Sequence, residues 1–159
     1  MLNIELLDAC VLSENVFKEY IDKAKVKNIK LKKRFKVEKA FIKVDKIAFF
    51  QIIDNLLSNA IKYTSPNKSV SLMVNIIERK AIISVIDEGP GFTNEDKSKM
   101  FQKFSKLSAK PTGNETSAGI GLAIAKKLID KMNAQLFLKT ELGKGSTFEV
   151  IFELEKIME

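Results

Sequence analysis

The stretch Ile82–Phe92, IISVIDEGPGF, decides how this chain is read. Its apolar, β-branched start suits a buried strand. The run stops at a carboxylate, Asp87, and breaks into Gly89-Pro90-Gly91. A carboxylate closing a buried strand is costly unless donors meet it. Asp87 can accept two hydrogens, such as those of an exocyclic amine and a water. Gly89 and Gly91 carry no Cβ, so the backbone can turn sharply and let a flat ligand approach. An ordinary β-turn after an ordinary strand would look the same in isolation, and the flanking segments discriminate between the two.

Upstream, Asp45 is placed to cap a helix from Lys46 to about Tyr63. Phe49, Ile53, Leu56, Leu57 and Ala60 make its apolar side. Gln51, Asn55, Asn59 and Lys62 fall within roughly 80° of one another at about 100° per residue. Surface stripes are usually Glu and Lys, which favour helix more than Asn does, so two asparagines four apart invite a functional explanation. An amide oxygen is a hard ligand suited to Mg²⁺, and a nearby lysine can meet a phosphate. Ser65-Pro66-Asn67 ends the helix, and Val70–Arg79 with Ala81–Asp87 read as an antiparallel pair.

Downstream, a short helix over Asn94–Phe104 carries Met100, Phe101 and Phe104. Leu107–Ser117, LSAKPTGNETS, is polar and aperiodic and reads as a mobile loop. It runs into Gly119-Ile120-Gly121 and a helix over Leu122–Met132. Glycines opening a helix leave backbone N–H groups facing outward, and with the helix dipole they suit phosphate. A loop just before them fits a lid that excludes water from phosphoryl transfer. Ala134–Thr140 and Thr147–Leu154 are strands around a Gly143–Ser146 hairpin.

At the start, Asp8 can cap a helix to about Asn28, with Val16, Phe17, Tyr20, Ile21 and Ala24 facing a core. Lys30–Lys36, KLKKRFK, alternates as a strand with a basic face, and Ala40–Val44 is expected to be its hairpin partner. That basic face lacks aromatics to stack bases, so it reads as solvated surface and not as a nucleic-acid site. The 159 residues fit one domain, and 45% hydrophobic content excludes a disordered chain. No apolar run is long enough to span a bilayer and no signal peptide opens the chain. The single cysteine, Cys10, cannot form an internal disulfide, which fits a reducing compartment and a core role. There is no histidine, which excludes His-based triads, His metal ligands and phosphohistidine on this chain.

Taken in order, these segments resemble the ATP-binding catalytic domain of sensor histidine kinases, within the larger GHKL superfamily. NLLSNAIKYT (Asn55–Thr64) is similar to the family's N box and DEGPGF (Asp87–Phe92) to its first glycine box. MFQKF (Met100–Phe104) resembles the F box, GIGLAI (Gly119–Ile124) the second glycine box and GKGSTF (Gly143–Phe148) the third. The resemblance covers nearly all of residues 1–159 as one domain. It implies a two-layer α/β sandwich: one mixed, mainly antiparallel sheet with helices on one face. It implies ATP and Mg²⁺ as ligands. Asp87, flanked by Gly89 and Gly91, would accept the adenine amine, and Thr147 would hold a water beside it. Asn59 would bind the metal with Asn55 next to it. Lys62 and Tyr63 would lie near the phosphates and ribose, and Gly119, Gly121 and the Leu122 N–H would cradle phosphate. Lys103 or Lys106 would reach the γ-phosphate.

The implied activity is protein-histidine kinase: transfer of the γ-phosphoryl group to a histidine on a separate dimerisation domain, then to a response regulator. The parent would be membrane-bound or a homodimer, with this portion cytoplasmic. Two other readings stay within the superfamily, a non-kinase nucleotide-binding regulatory module and an anti-sigma-type serine kinase. The intact boxes speak against the first, and Lys62-Tyr63-Thr64 after paired asparagines against the second. Two departures stand out. Ser117 occupies a place where the second glycine box often begins with glycine. The missing histidine makes the chain look like an excised catalytic domain, inactive for autophosphorylation alone. The superfamily's ATPases are expected to carry a glutamate base where this chain has Asn55, so ATP hydrolysis by the chain alone should be slow.

Overall fold

The computed structural model describes residues 1–99 and 121–156. The elements in order are β1 (Ile4–Asp8), α1 (Ala9–Lys27), β2 (Lys30–Phe35), β3 (Phe41–Asp45), α2 (Lys46–Tyr63), β4 (Ser69–Ile77), β5 (Lys80–Asp87), α3 (Asn94–Lys99), α4 (Gly121–Lys131), β6 (Gln135–Glu141) and β7 (Gly145–Glu153). The Met100–Phe104 segment and the Leu107–Ser117 loop lie outside the described residues.

Five strands form one sheet in the order β2-β4-β5-β7-β6. Only the β2–β4 pair is parallel; the other three are antiparallel. The expected mixed, mainly antiparallel sheet is therefore present. Alternation puts Val70, Leu72 and Val74 of β4, Ala81, Ile83 and Val85 of β5, and Phe148, Val150 and Phe152 of β7 on one face, all buried. Against that face pack Val16, Tyr20 and Ala24 of α1, Phe49, Ile52, Ile53, Leu56 and Leu57 of α2, and Leu122, Ala125 and Ile129 of α4. The layers meet at the Phe49 and Phe152 rings, 6.0 Å apart between centroids.

Two expectations need correction. Ala40–Val44 is not the hairpin partner of the basic strand. Its strand, β3, pairs antiparallel with β1, from Ile4 opposite Asp45 to Asp8 opposite Phe41, as a separate two-stranded sheet. The basic strand instead runs parallel to β4, Lys30 beside Ser69 through Phe35 beside Val74. Ile42 and Val44 explain this, since both are fully buried in the helix-side core and not beside the edge strand. Ile21 does not face the core either. It is 37% exposed, because the buried stripe of α1 follows Ser13, Val16, Tyr20 and Ala24 and leaves Ile21 on its margin. Leu31 and Phe35 do pack on the core while Lys30, Lys32 and Arg34 stay exposed, as the alternation predicts.

Helix α2 is held at both ends and in the middle. The Asp45 carboxylate accepts the N–H of Ala48 at 2.8 Å and of Asn3 at 2.7 Å, which ties the helix start to the β1 entry. These donors hold the Asp45 carboxyl below the usual carboxylate range. The Tyr20 hydroxyl of α1 donates to the Asp54 carboxylate. Lys27 Nζ donates to the carbonyls of Ile61 at 2.7 Å and Lys62 at 2.8 Å, capping the last turn.

Asp45→Ala should cost about 1 kcal/mol in urea denaturation near neutral pH, whereas Asp45→Asn, an equal cap, should cost little. A depressed carboxyl contributes stability above its unfolded pKa and loses it as pH falls through the folded value. The difference between wild type and Asp45→Ala should therefore shrink in acid. A difference that does not change with pH would contradict the capping role.

Candidate nucleotide-binding site

Asp87 ends β5 on the helix-facing side of the sheet, two residues beyond Val85. Its carboxylate accepts the Gly89 N–H at 2.8 Å and a second N–H from Ser146. Burial outweighs both donors and pushes the carboxyl up to about 6. A Cβ on Gly89 would lie 2.9 Å from this carboxylate, 3.3 Å from the Tyr63 carbonyl and 3.5 Å from Thr64 Oγ1. Asp87 is thus lodged against the C-terminal end of α2.

The backbone around Asp87 closes through glycines. Gly145 has φ +121°, and a Cβ there would collide with the Asp87 carbonyl oxygen. Gly91 has φ +74°, and its Cβ would fall 2.5 Å from the Glu141 carbonyl oxygen. These close approaches fasten the Pro90–Phe92 turn onto the β6–β7 hairpin. Gly143 N–H donates to the Pro90 carbonyl at 2.8 Å, and Phe92 N–H donates to Thr140 Oγ1 at 3.0 Å. The Phe92 ring meets Phe148 edge-on at 6.1 Å.

At its middle, α2 meets the start of α4. A Cβ on Gly121 would lie 3.5 Å from Asn55 Oδ1, so the Asn55 amide is seated against the first turn of α4. Asn55, Asn59 and Lys62 are all half-buried on one side of α2. Tyr63 is buried and Leu122 packs into the core from the first turn of α4. Asn55 and Tyr63 are eight residues apart, about 12 Å along the helix axis at 1.5 Å per residue. The side of α2 between them therefore joins an acidic, glycine-lined end at Asp87 to a helix N-terminus at Gly121. Gly119, Lys103 and Lys106 lie outside the described residues.

Thr147 is not beside Asp87. The register sets Ser146 opposite Asp87 and Thr147 opposite Ile86, so the Thr147 side chain is on the far face of the sheet. Ser146 is 5% exposed and its Oγ lies 2.8 Å from Thr140 Oγ1. Parity gave the signal in the sequence: Ser146 alternates with Phe148, Val150 and Phe152, which face the helices. Thr140 and Lys27, and the bond from the Tyr20 hydroxyl to Asp54, are not announced in the sequence, because these contacts are with residues distant in the chain or across the sheet.

Residues 44–156 match the model of the family described as histidine kinase-, DNA gyrase B- and HSP90-like ATPase. The chain belongs to that family. It is an ATP-binding domain of the sensor-kinase kind, as its relatives indicate. It is 35% identical over 122 residues to the sensor protein EvgS of Escherichia coli O157:H7, a match covering 74% of this chain and 10% of EvgS. It is 32% identical over 111 residues to the signal transduction histidine-protein kinase ArlS of Staphylococcus aureus strain USA300, covering 70% of this chain and 25% of ArlS. The domain therefore spans a small part of the curated relatives it matches. Among solved structures, full-length ShkA in complex with AMPPNP superposes with a TM-score of 0.85 at 25% identity, over 100% of this chain and 33% of that one. The catalytic domain of the histidine kinase ThkA gives 0.83 at 22% identity, over 96% of each chain. Among the described residues, no helix is long and apolar enough to cross a membrane.

A carboxyl raised by folding contributes stability that is fully present below its unfolded pKa and lost as pH rises through the folded value. Wild type should therefore lose stability relative to Asp87→Asn between about pH 4 and about pH 7, by on the order of 1–3 kcal/mol. Denaturant titrations of both chains across that range check it; parallel curves would contradict the burial of Asp87.

Proposed function

We propose that this domain binds ATP with Mg²⁺ along α2 and presents the γ-phosphoryl group to a histidine on a separate dimerisation domain. The observation that carries the reading is the pairing of two chemically different ends on one helix. At one end Asp87, which closes β5 on the helix-facing side of the sheet, suits the exocyclic amine of adenine. At the other, Asn55 sits against the start of α4, where outward N–H groups of Gly121 and Leu122 suit phosphate.

The residues present fit a phosphate-shared Mg²⁺. The amide oxygens of Asn59 and Asn55 are hard, neutral ligands, and such a site takes its remaining oxygens from phosphates and water. Mg²⁺, when bound, would neutralise charge on the phosphates. Lys62, one turn beyond Asn59 on the same side, would add a positive charge toward them. Gly119 and either Lys103 or Lys106 would complete the phosphate contacts. Nothing in this arrangement need act on the γ-phosphate chemically, since phosphoryl transfer is accelerated mainly by positioning and electrostatics. The P–O bond to the β-phosphate breaks as a P–N bond to the acceptor histidine forms. That histidine belongs to another domain, and a response-regulator aspartate would be the next acceptor. We assign the domain to the cytoplasmic portion of its parent kinase.

Asn55 also predicts what the chain does poorly alone. An amide cannot accept a proton from water, whereas a positioned carboxylate contributes roughly 10²–10⁴-fold. Asp54 is adjacent in sequence but points about 100° away around the helix, and its carboxylate is engaged by Tyr20.

With radiolabelled ATP, the chain alone should release phosphate very slowly and acquire no acid-labile label. Adding a helical domain that carries a phosphoacceptor histidine should produce label on that domain, lost in Asn59→Ala. Rapid phosphate release by the chain alone, abolished by Asn59→Ala, would make it an ATPase and overturn the kinase reading.

A further inference from the structure

Thr140, on β6, pairs across the sheet with Ser146, which in turn pairs with Asp87, and makes three polar contacts through one hydroxyl. Its Oγ1 accepts the Phe92 N–H at 3.0 Å and donates to the Gly145 carbonyl at 3.1 Å. The third contact, 2.8 Å to Ser146 Oγ, can be donated from either side when taken by itself. A threonine hydroxyl has a single proton, and here the Gly145 carbonyl receives it. Ser146 must therefore be the donor to Thr140, which leaves its own oxygen with lone pairs and no proton for the cleft.

We propose that Thr140 is a positioning residue for base selectivity: by holding the Ser146 proton, it makes the corner beside Asp87 an acceptor-only surface that admits an exocyclic amine and rejects an exocyclic oxygen. The proposal rests on the ATP reading above. Ser146 lies directly across the sheet from Asp87 and gives that carboxylate its backbone N–H. Its side chain is buried, so its rotamer is set by protein contacts and not by bulk water. Asp87, when ionised, is also acceptor-only. An adenine brings hydrogens to these two oxygens, directly or through a water that donates to both. A hypoxanthine turns the lone pairs of its exocyclic oxygen toward them and has only its ring N1–H to donate. A site whose buried polar groups are left unpaired by the wrong ligand discriminates more strongly than one that merely fits the right one. Were the Thr140 hydroxyl absent, the Ser146 proton could turn into the cleft, and the penalty against the oxygen would fall.

The test compares the dissociation constants of the chain for ATP and for inosine triphosphate, which differ only at the exocyclic group and the adjoining ring nitrogen. Titration calorimetry is done at about pH 8, where Asp87 is ionised. Thr140→Val, nearly isosteric, should lower the preference for ATP by about 3- to 10-fold, the size of one neutral hydrogen bond. Thr140→Ser should restore it. Ser146→Ala should lower it too, and in that background Thr140→Val should change the ratio no further, because both act through one proton. A wild-type ratio in Thr140→Val, or an equal drop with and without the Ser146 hydroxyl, overturns the proposal. If Thr140→Val does not fold, Ser146→Ala decides, since it leaves the Phe92 and Gly145 bonds of Thr140 in place; an unchanged ratio there overturns the proposal. Wild type that binds neither nucleotide overturns the ATP reading and this proposal together. Wild type that binds ATP, with ratios insensitive to these residues, overturns this proposal alone.

Discussion

A half-buried carboxylate held by two backbone N–H groups is the contact on which the rest of this molecule depends. Asp87 sits at the end of β5, and both Gly89 and Ser146 point their N–H groups at it. Those donors offset part of the cost of burying a charge, but not all of it, since burial still raises the carboxyl to about 6. The residual cost means that the site gains when a ligand supplies another donor. The surrounding geometry keeps that opportunity open. Gly91 and Gly145 let two backbone segments come closer than any Cβ would permit, and Thr140 laces the glycine turn to the β6–β7 hairpin. The corner is rigid because its parts come from three separate strands and a turn, all cross-bonded.

The second constraint is the axial position of α2. Its start is fixed by Asp45, its middle by Tyr20 against Asp54, and its end by Lys27 on the last carbonyls. A helix clamped in this way cannot slide or rotate without losing these hydrogen bonds. Asn55, Asn59 and Lys62 therefore keep a set distance and angle from Asp87. An extended ligand can be measured along that helix, one end to Asp87 and the other to the α4 start. The core serves the same purpose: Phe49, Ile52, Ile53, Leu56 and Leu57 lock the opposite side of α2 onto the sheet, leaving the amide side for the cleft.

Much of this was legible in the chain because it is written in local patterns. The α2 boundaries follow from Asp45 as a cap and Pro66 as a stop, and the Asn55–Asn59–Lys62 side follows from helical periodicity. Asp87 with its two glycines stands out as a break in a buried strand. Strand pairing was harder. Ala40–Val44 is near the basic strand in sequence, yet β3 pairs with β1, and β1 itself has exposed apolar residues at Ile4 and Leu6 that give no clean alternation. Which strands pair is settled by tertiary packing, since Ile42 and Val44 need a core that the basic edge strand does not offer. Thr147 was misplaced for a smaller reason: in Ser146-Thr147 both residues carry a hydroxyl, and only the parity set by Phe148 tells which one faces Asp87. The roles of Tyr20 and Lys27 join residues 34 and 35 positions apart in sequence, and no local pattern announces them.

In the proposed complex the nucleotide lies along α2 with its base at Asp87 and its phosphates at the α4 start. Amide chemical-shift mapping tests it most directly, with adenosine compared against a non-hydrolysable ATP analogue plus Mg²⁺. Adenosine should perturb the backbone amides of Gly89 and Ser146 and leave Gly121 and the Asn55 side-chain amide in place. The triphosphate should move both sets. Adenosine shifts centred on Gly121, or triphosphate shifts that spare Asn55 and Gly121, would contradict the account.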